Sequence, residues 1–154
     1  MATQKILLPY NFTEMDKKAV EFVVKIFGKT KDCKITLLHV YTPLPNVETD
    51  SSTVMGRLSA SMQFLSQQQR EKEAALLEVK EHFKERGFAE AQLDHIFKSR
   101  SRPLAEEIID TTTGGRFDVI VLNSRPYRIT RLFIQSVHNK VITALKNVVI
   151  CIVT

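Results

Sequence analysis

Three arginines, Arg125, Arg128 and Arg131, stand three residues apart just after an apolar run from Val119 to Leu122, and Ser136 follows five residues on. Guanidinium groups hold phosphate through paired, charge-assisted hydrogen bonds, and a serine at a helix start adds a hydroxyl beside free backbone amides. The chemistry on offer is anion capture, with a nucleotide phosphate as the natural ligand. Bond-breaking chemistry finds less support. Ser136, His138 and Asp118 have the residue types of a hydrolytic triad, yet no nucleophile-elbow pattern surrounds the serine, and i, i+2 positions on a helix face apart. His39 lies inside an apolar strand and reads as a hydrogen-bonded core histidine. His82, His95 and His138 fall on separate elements without ligand spacing, and Cys33 and Cys151 read as structural thiols. No catalytic residue and no metal site emerge.

The elements that must position the arginines follow from periodicity. Lys5 to Leu8 is a compact apolar strand stopped by Pro9, and Thr13-Glu14-Met15-Asp16 reads as a capping box with Asp in place of the usual Glu. Ala19, Val20, Val23, Ile26 and Phe27 make one helical stripe, with Gly28 as its cap. Ile35 to Tyr41 is a second strand, too continuously apolar for a one-sided sheet, and Pro43 and Pro45 end it. From Val54 to Arg86 the pattern is helical, Leu58, Met62, Leu65, Leu76, Val79 and Phe83 keeping to one side with Gln67 to Gln69 interrupting midway; two helices or one with a loose start around Ser51 to Gly56 would fit, the loose start is favoured, and Gly87 ends the segment. Asp94 to Lys98 is a short strand with the alternation of a sheet edge. Pro103 opens a helix carrying Leu104, Ile108 and Ile109, closed by Gly114 and Gly115; Glu106-Glu107 suits the dipole at its start. Val119 to Leu122 is the fourth strand, Ser136 to Leu145 a helix beginning at its serine cap, and Val148 to Val153 a last strand.

Five strands alternating with four helices predict a three-layer α/β fold, a doubly wound parallel sheet in the order 3-2-1-4-5, within a single domain of 154 residues. The first and fourth strands then meet at the switch point, so Asn11 and Asn123 stand on the two lips of one crevice. The fifth strand is an edge, apolar and without charge or proline. Pairing with its two-fold mate is the simplest cover, so a homodimer through Val148, Val149, Ile150, Cys151, Ile152 and Val153 is expected.

Composition excludes several classes. A hydrophobic share of 44% and a charged share of 25% belong to an ordinary globular chain. No apolar run approaches a membrane span, and Pro9 cuts off Ile6 to Leu8 before it becomes a leader, so a cytoplasmic protein is expected. Residues 1–118 hold 17 basic and 17 acidic side chains, whereas residues 119–154 hold 5 basic and none acidic. All the net charge of +5 therefore lies in the final quarter. That face draws anions, but no nucleic-acid-binding motif accompanies it.

The segments Lys5-Ile-Leu-Leu-Pro-Tyr-Asn-Phe-Thr, Ile35-Thr-Leu-Leu-His-Val, Pro103-Leu-Ala-Glu-Glu-Ile-Ile, Asp118-Val-Ile-Val-Leu-Asn-Ser-Arg and the Ser-Val before the last helix resemble the universal stress protein family across essentially the whole chain. The resemblance implies the adenine nucleotide alpha hydrolase-like form of the fold, dimers through the last strand, a cytoplasmic stress-linked role and, in one branch, ATP binding. It places Asn11, Val40, Asn123, Ser124, Arg125, Arg128, Gln135 and Ser136 around the nucleotide crevice. ATP-binding members carry Gly-x-x-Gly, nine residues, then Gly-Ser or Gly-Thr after the fourth strand, with an Asp after the first. Here Asn123 and Pro126 replace the first two glycines, Gln135 precedes the retained Ser136 after only eight residues, and Asn11 holds the Asp position.

Each departure has a physical meaning. Pro126 has no N–H to offer a phosphate and a fixed φ. Gln135 puts a side chain where glycine admits the backbone, and Asn11 lacks the charge that helps to hold magnesium. No cofactor is therefore expected. The leading reading is a stress-response dimer that is non-catalytic and meets an unknown protein partner. An adenine-nucleotide switch or slow ATPase using Arg125, Arg128 and Ser136 is the alternative, and a nucleic-acid binder through the basic end ranks third.

Overall fold

The computed structural model describes residues 2–43, 52–123 and 131–154, with the backbone alone for residues 52–59 and 131–136. Five strands, β1 (Gln4–Pro9), β2 (Cys33–Tyr41), β3 (Leu93–Ser99), β4 (Val119–Asn123) and β5 (Val149–Val153), form one parallel sheet in the order β3-β2-β1-β4-β5. The order is the one the alternating pattern predicts. Successive right-handed crossovers put α1 (Glu14–Phe27) and α2 (Ser52–Glu85) on one face and α3 (Leu104–Gly114) and α4 (Arg131–Ala144) on the other. The first face buries Ile6, Leu8, Val20, Val23, Ile35, Leu37, Leu76 and Phe83. The second buries Leu7, Leu38, Ile108, Ile120, Val141 and Leu145. Alternate residues of each central strand serve opposite cores, and strands covered on both sides must read as unbroken apolar runs.

Several boundaries differ from the sequence reading. The Val54 to Arg86 pattern forms one helix, α2, already helical at Ser52, and Gln67 to Gln69 do not interrupt it. At 34 residues it spans about 51 Å, against roughly 30 Å for the nine residues of β2, so its early turns outrun the sheet. Gln69 marks the level, donating its side-chain amide to the Thr42 carbonyl just past β2 at 3.3 Å. Below it Leu76 and Phe83 are fully buried, whereas Phe64 above it stays exposed. Gly87, with φ of 102°, ends the segment as a glycine can.

The last helix corrects the serine-cap reading. α4 begins at Arg131, so Ser136 is its sixth residue and Arg131 its first. The reason is periodicity: Phe133, Val137, Val141 and Leu145 recur every four residues and extend the stripe back beyond Ser136. β5 starts at Val149, because Asn147 takes a left-handed turn (φ of 59°) and Val148 packs into the second core. Among the described residues no helix is long and apolar enough to cross a membrane.

Candidate functional site

Asn11 and Asn123 lie where the carboxyl ends of the neighbouring strands β1 and β4 part, and a third residue joins them. Asp16, in the first turn of α1, is buried. Its carboxylate accepts from the Asn11 N–H at 2.9 Å, the Thr13 N–H at 3.1 Å and the Thr13 hydroxyl at 2.8 Å, and the Asn123 side-chain amide donates to its other oxygen. The Thr13 hydroxyl oxygen in turn accepts from the Asp16 N–H at 3.2 Å, completing the capping box. A shorter Asp in place of Glu pulls the carboxylate close to the turn, which leaves one oxygen aimed across the crevice. With four donors on it, this carboxylate is committed to structure. It ties the β1–α1 turn to the end of β4.

The turn it holds is strained. Phe12 has φ of 59°, an unfavourable setting for a bulky residue that surrounding contacts must enforce. Its ring meets Tyr10 edge-on with centroids 5.1 Å apart and His39 at 5.0 Å. His39, on β2, is buried, and its Nδ1 lies 2.9 Å from the Tyr10 carbonyl oxygen. A carbonyl only accepts, so Nδ1 carries the proton and Nε2 the lone pair. The pairing agrees with the hydrogen-bonded core histidine read from sequence.

The other expected site residues are distributed as follows. Val40 is half-buried two positions past Leu38, the register partner of Pro9, and so stands level with Asn11. Gln135 and Ser136 are in α4, within its first two turns. Ser124, Arg125, Pro126 and Arg128 lie outside the described residues. Asp118 sits just before the amino end of β4, accepting from the Lys5 N–H at 2.8 Å. Among the described residues no group of three His, Cys, Asp or Glu side chains is gathered as a metal would need.

A second buried carboxylate organises the β3–α3 turn. Glu107 pairs with the Lys98 ammonium at 2.6 Å and accepts from the Ser101 N–H and hydroxyl and the Arg102 N–H at 3.0–3.1 Å. Lys98 and these donors hold its carboxyl down at about 2. Away from both, a groove of about 360 Å³ at the amino ends of the strands is lined by Lys5, Lys34, Thr36, Asp94 and Phe117. Lys34 and Asp94 face each other there at 3.5 Å.

The sequence pattern of the universal stress protein family matches residues 2–152, almost the whole chain. The chain belongs to the universal stress protein family. Its fold is shared with UspA from Lactobacillus plantarum, at 15% identity and a TM-score of 0.67, covering 100% of this chain and 99% of that one. A universal stress protein in complex with cAMP matches at 15% identity and a TM-score of 0.65 over 100% and 98% of the two chains. A family protein from Arabidopsis thaliana with AMP bound matches at 20% identity and a TM-score of 0.58 over 98% and 92%. No curated protein matches the chain. The Asp16 bridge across the crevice between β1 and β4 escaped the sequence reading. Its one legible trace was the capping box, which gives no sign of the reach to Asn123.

Proposed function

We propose that this universal stress protein works as a non-catalytic homodimer through protein contacts and holds no ATP tightly. The observation that carries the reading is the Asn123–Asp16 hydrogen bond. In the ATP-binding branch the position of Asn123 is a glycine, whereas here its side chain spans the crevice and saturates the carboxylate on the opposite lip. A phosphate seated in the family's manner has to break that bond and leave Asp16 a buried charge short of a donor. Asn11 and Pro126 remove two further contributions, the charge and the amide. The open edge of β5, where Val149 and Ile152 are exposed, supports the dimer.

A second reading keeps an adenine nucleotide in the crevice, with Arg125, Arg128 and Ser136 on its phosphate and no magnesium. The fold shared with proteins solved with cAMP and with AMP favours it. Melting curves with AMP, cAMP and MgATP at millimolar concentration separate the two. No rise in melting temperature is expected. A rise of several degrees makes the nucleotide reading the leading one, since a ligand at 100 times its dissociation constant stabilises the native state by about 2.7 kcal/mol.

A further inference from the structure

The imidazole of His39 has one nitrogen engaged and one stranded. Nδ1–H is given to the Tyr10 carbonyl, while Nε2 is buried without any hydrogen-bond partner, alone in this among the buried side-chain polar atoms of the described residues. Its surroundings are aromatic: Phe12 on one side, and Phe97 from β3 stacked at 5.4 Å with Tyr41 stacked behind it at 4.7 Å. Two charged groups act on the ring from the packed helices, Lys72 of α2 opposing a positive charge and Asp16 of α1 favouring one. Burial outweighs both and makes the ring harder to protonate than a free imidazole.

We infer that His39 is an acid-sensitive latch on the strained Tyr10–Thr13 turn, and through that turn on the crevice between β1 and β4. In the neutral ring the Nδ1–H bond and the Phe12 contact hold the turn in the conformation its φ of 59° disfavours. A proton taken up from water by Nε2 leaves an imidazolium whose second N–H has no hydrogen-bond partner. The charge is relieved only when the ring reaches water, and that movement surrenders the bond to Tyr10. Asn11 and Thr13, bonded to Asp16, are the next groups on the turn, and Asn123 shares the same carboxylate. The latch operates whether or not a nucleotide enters the crevice.

The latched ring has its proton affinity lowered, so the latch is fully closed above about 6.5, the ordinary value that the released ring regains, and it weakens as the pH falls below that. Amide hydrogen exchange of the full chain between pH 7.5 and pH 5 reads it, with rates corrected for intrinsic pH dependence. The Asn11 and Thr13 amides are expected to lose about tenfold of protection per pH unit below 6.5, while the Ile35 and Leu37 amides in the core keep theirs. In His39→Gln, which retains a donor for the Tyr10 carbonyl but cannot titrate, the Asn11 and Thr13 protection is expected to stay flat. Equal loss in His39→Gln, no loss in the native chain, or simultaneous loss at Ile35 and Leu37 overturns the inference. The comparison within the native chain stands even where the variant fails to fold.

Discussion

Two buried carboxylates show how single residues set the turns at the carboxyl end of this sheet. Asp16 accepts two backbone amides, a hydroxyl and the Asn123 amide, so removing it orphans several donors at once. Asp16→Ala is expected to cost about 2–3 kcal/mol in urea unfolding, against about 1 kcal/mol for Asn123→Ala, which leaves the carboxylate its other three donors. Equal losses are incompatible with the bridge as described. Glu107 differs because its charge is the point. Its folded value of about 2 is depressed from an ordinary 4.5, so its contribution is complete above 4.5 and disappears as the pH falls from there through 2. The gap in urea midpoint between the native protein and Glu107→Gln is therefore expected to be widest at pH 6 and to shrink by pH 3. A gap as wide at pH 3 as at pH 6 removes the Lys98 pair from the account. Neither role was fully legible in sequence. Thr13 to Asp16 advertised a cap because two residues three positions apart decide it, but the Asn123 contact spans 107 positions and no local pattern encodes it. Glu107 read only as a residue suited to the dipole at a helix start, since nothing near it marks Lys98 as its partner.

At the level of elements, β5 carries the seam of the proposed homodimer. Its neighbour β4 pairs with it residue for residue from Val119–Val149 to Asn123–Val153, and among the described residues no strand pairs with its other edge. Val149 and Ile152 remain exposed on an all-apolar strand, which folded proteins tolerate at an edge chiefly when another strand covers it. Ile150→Lys is expected to convert a dimer to a monomer in light scattering, with the circular dichroism of the fold retained. A monomeric native protein refutes the seam, and a dimeric variant moves it elsewhere. The strands were the most legible elements, because β1, β4 and β5 hold short apolar runs and β2 is apolar apart from Lys34, Thr36 and His39, each with a clear stop. Helix starts were read less well. α2 carries a polar segment from Gln67 to Gln69 that resembles a break, yet glutamine is a good helix former and the apolar stripe resumes in phase at Leu76, Val79 and Phe83. α4 was shortened because Ser136 looked like a cap, although the four-residue repeat already ran back to Phe133.

The whole molecule is a sheet with an independent apolar core on each face, and the strands are the only layer common to both. That architecture raises the question of whether the faces melt together. Ile6, Leu8, Ile35 and Leu37 point to the α1–α2 side and Leu7 and Leu38 to the other, so any loss of strand alignment exposes both cores. A slip of one residue would exchange the two sets of side chains. Coupling of this kind makes one cooperative transition the expected behaviour. Leu76→Ala tests the first face and Ile108→Ala the second, both positions being nearly or fully buried. Each is expected to cost about 2–5 kcal/mol and to lower the urea midpoint of a single transition. With no Trp and three Tyr in the chain, tyrosine fluorescence and far-ultraviolet circular dichroism supply the two probes, and their curves should superimpose in both variants. Divergent curves in Ile108→Ala alone mean that the α3–α4 face opens by itself. The crevice would then border a separable layer, and the route to a ligand or partner would run through the loss of that layer, not through the Tyr10–Thr13 turn.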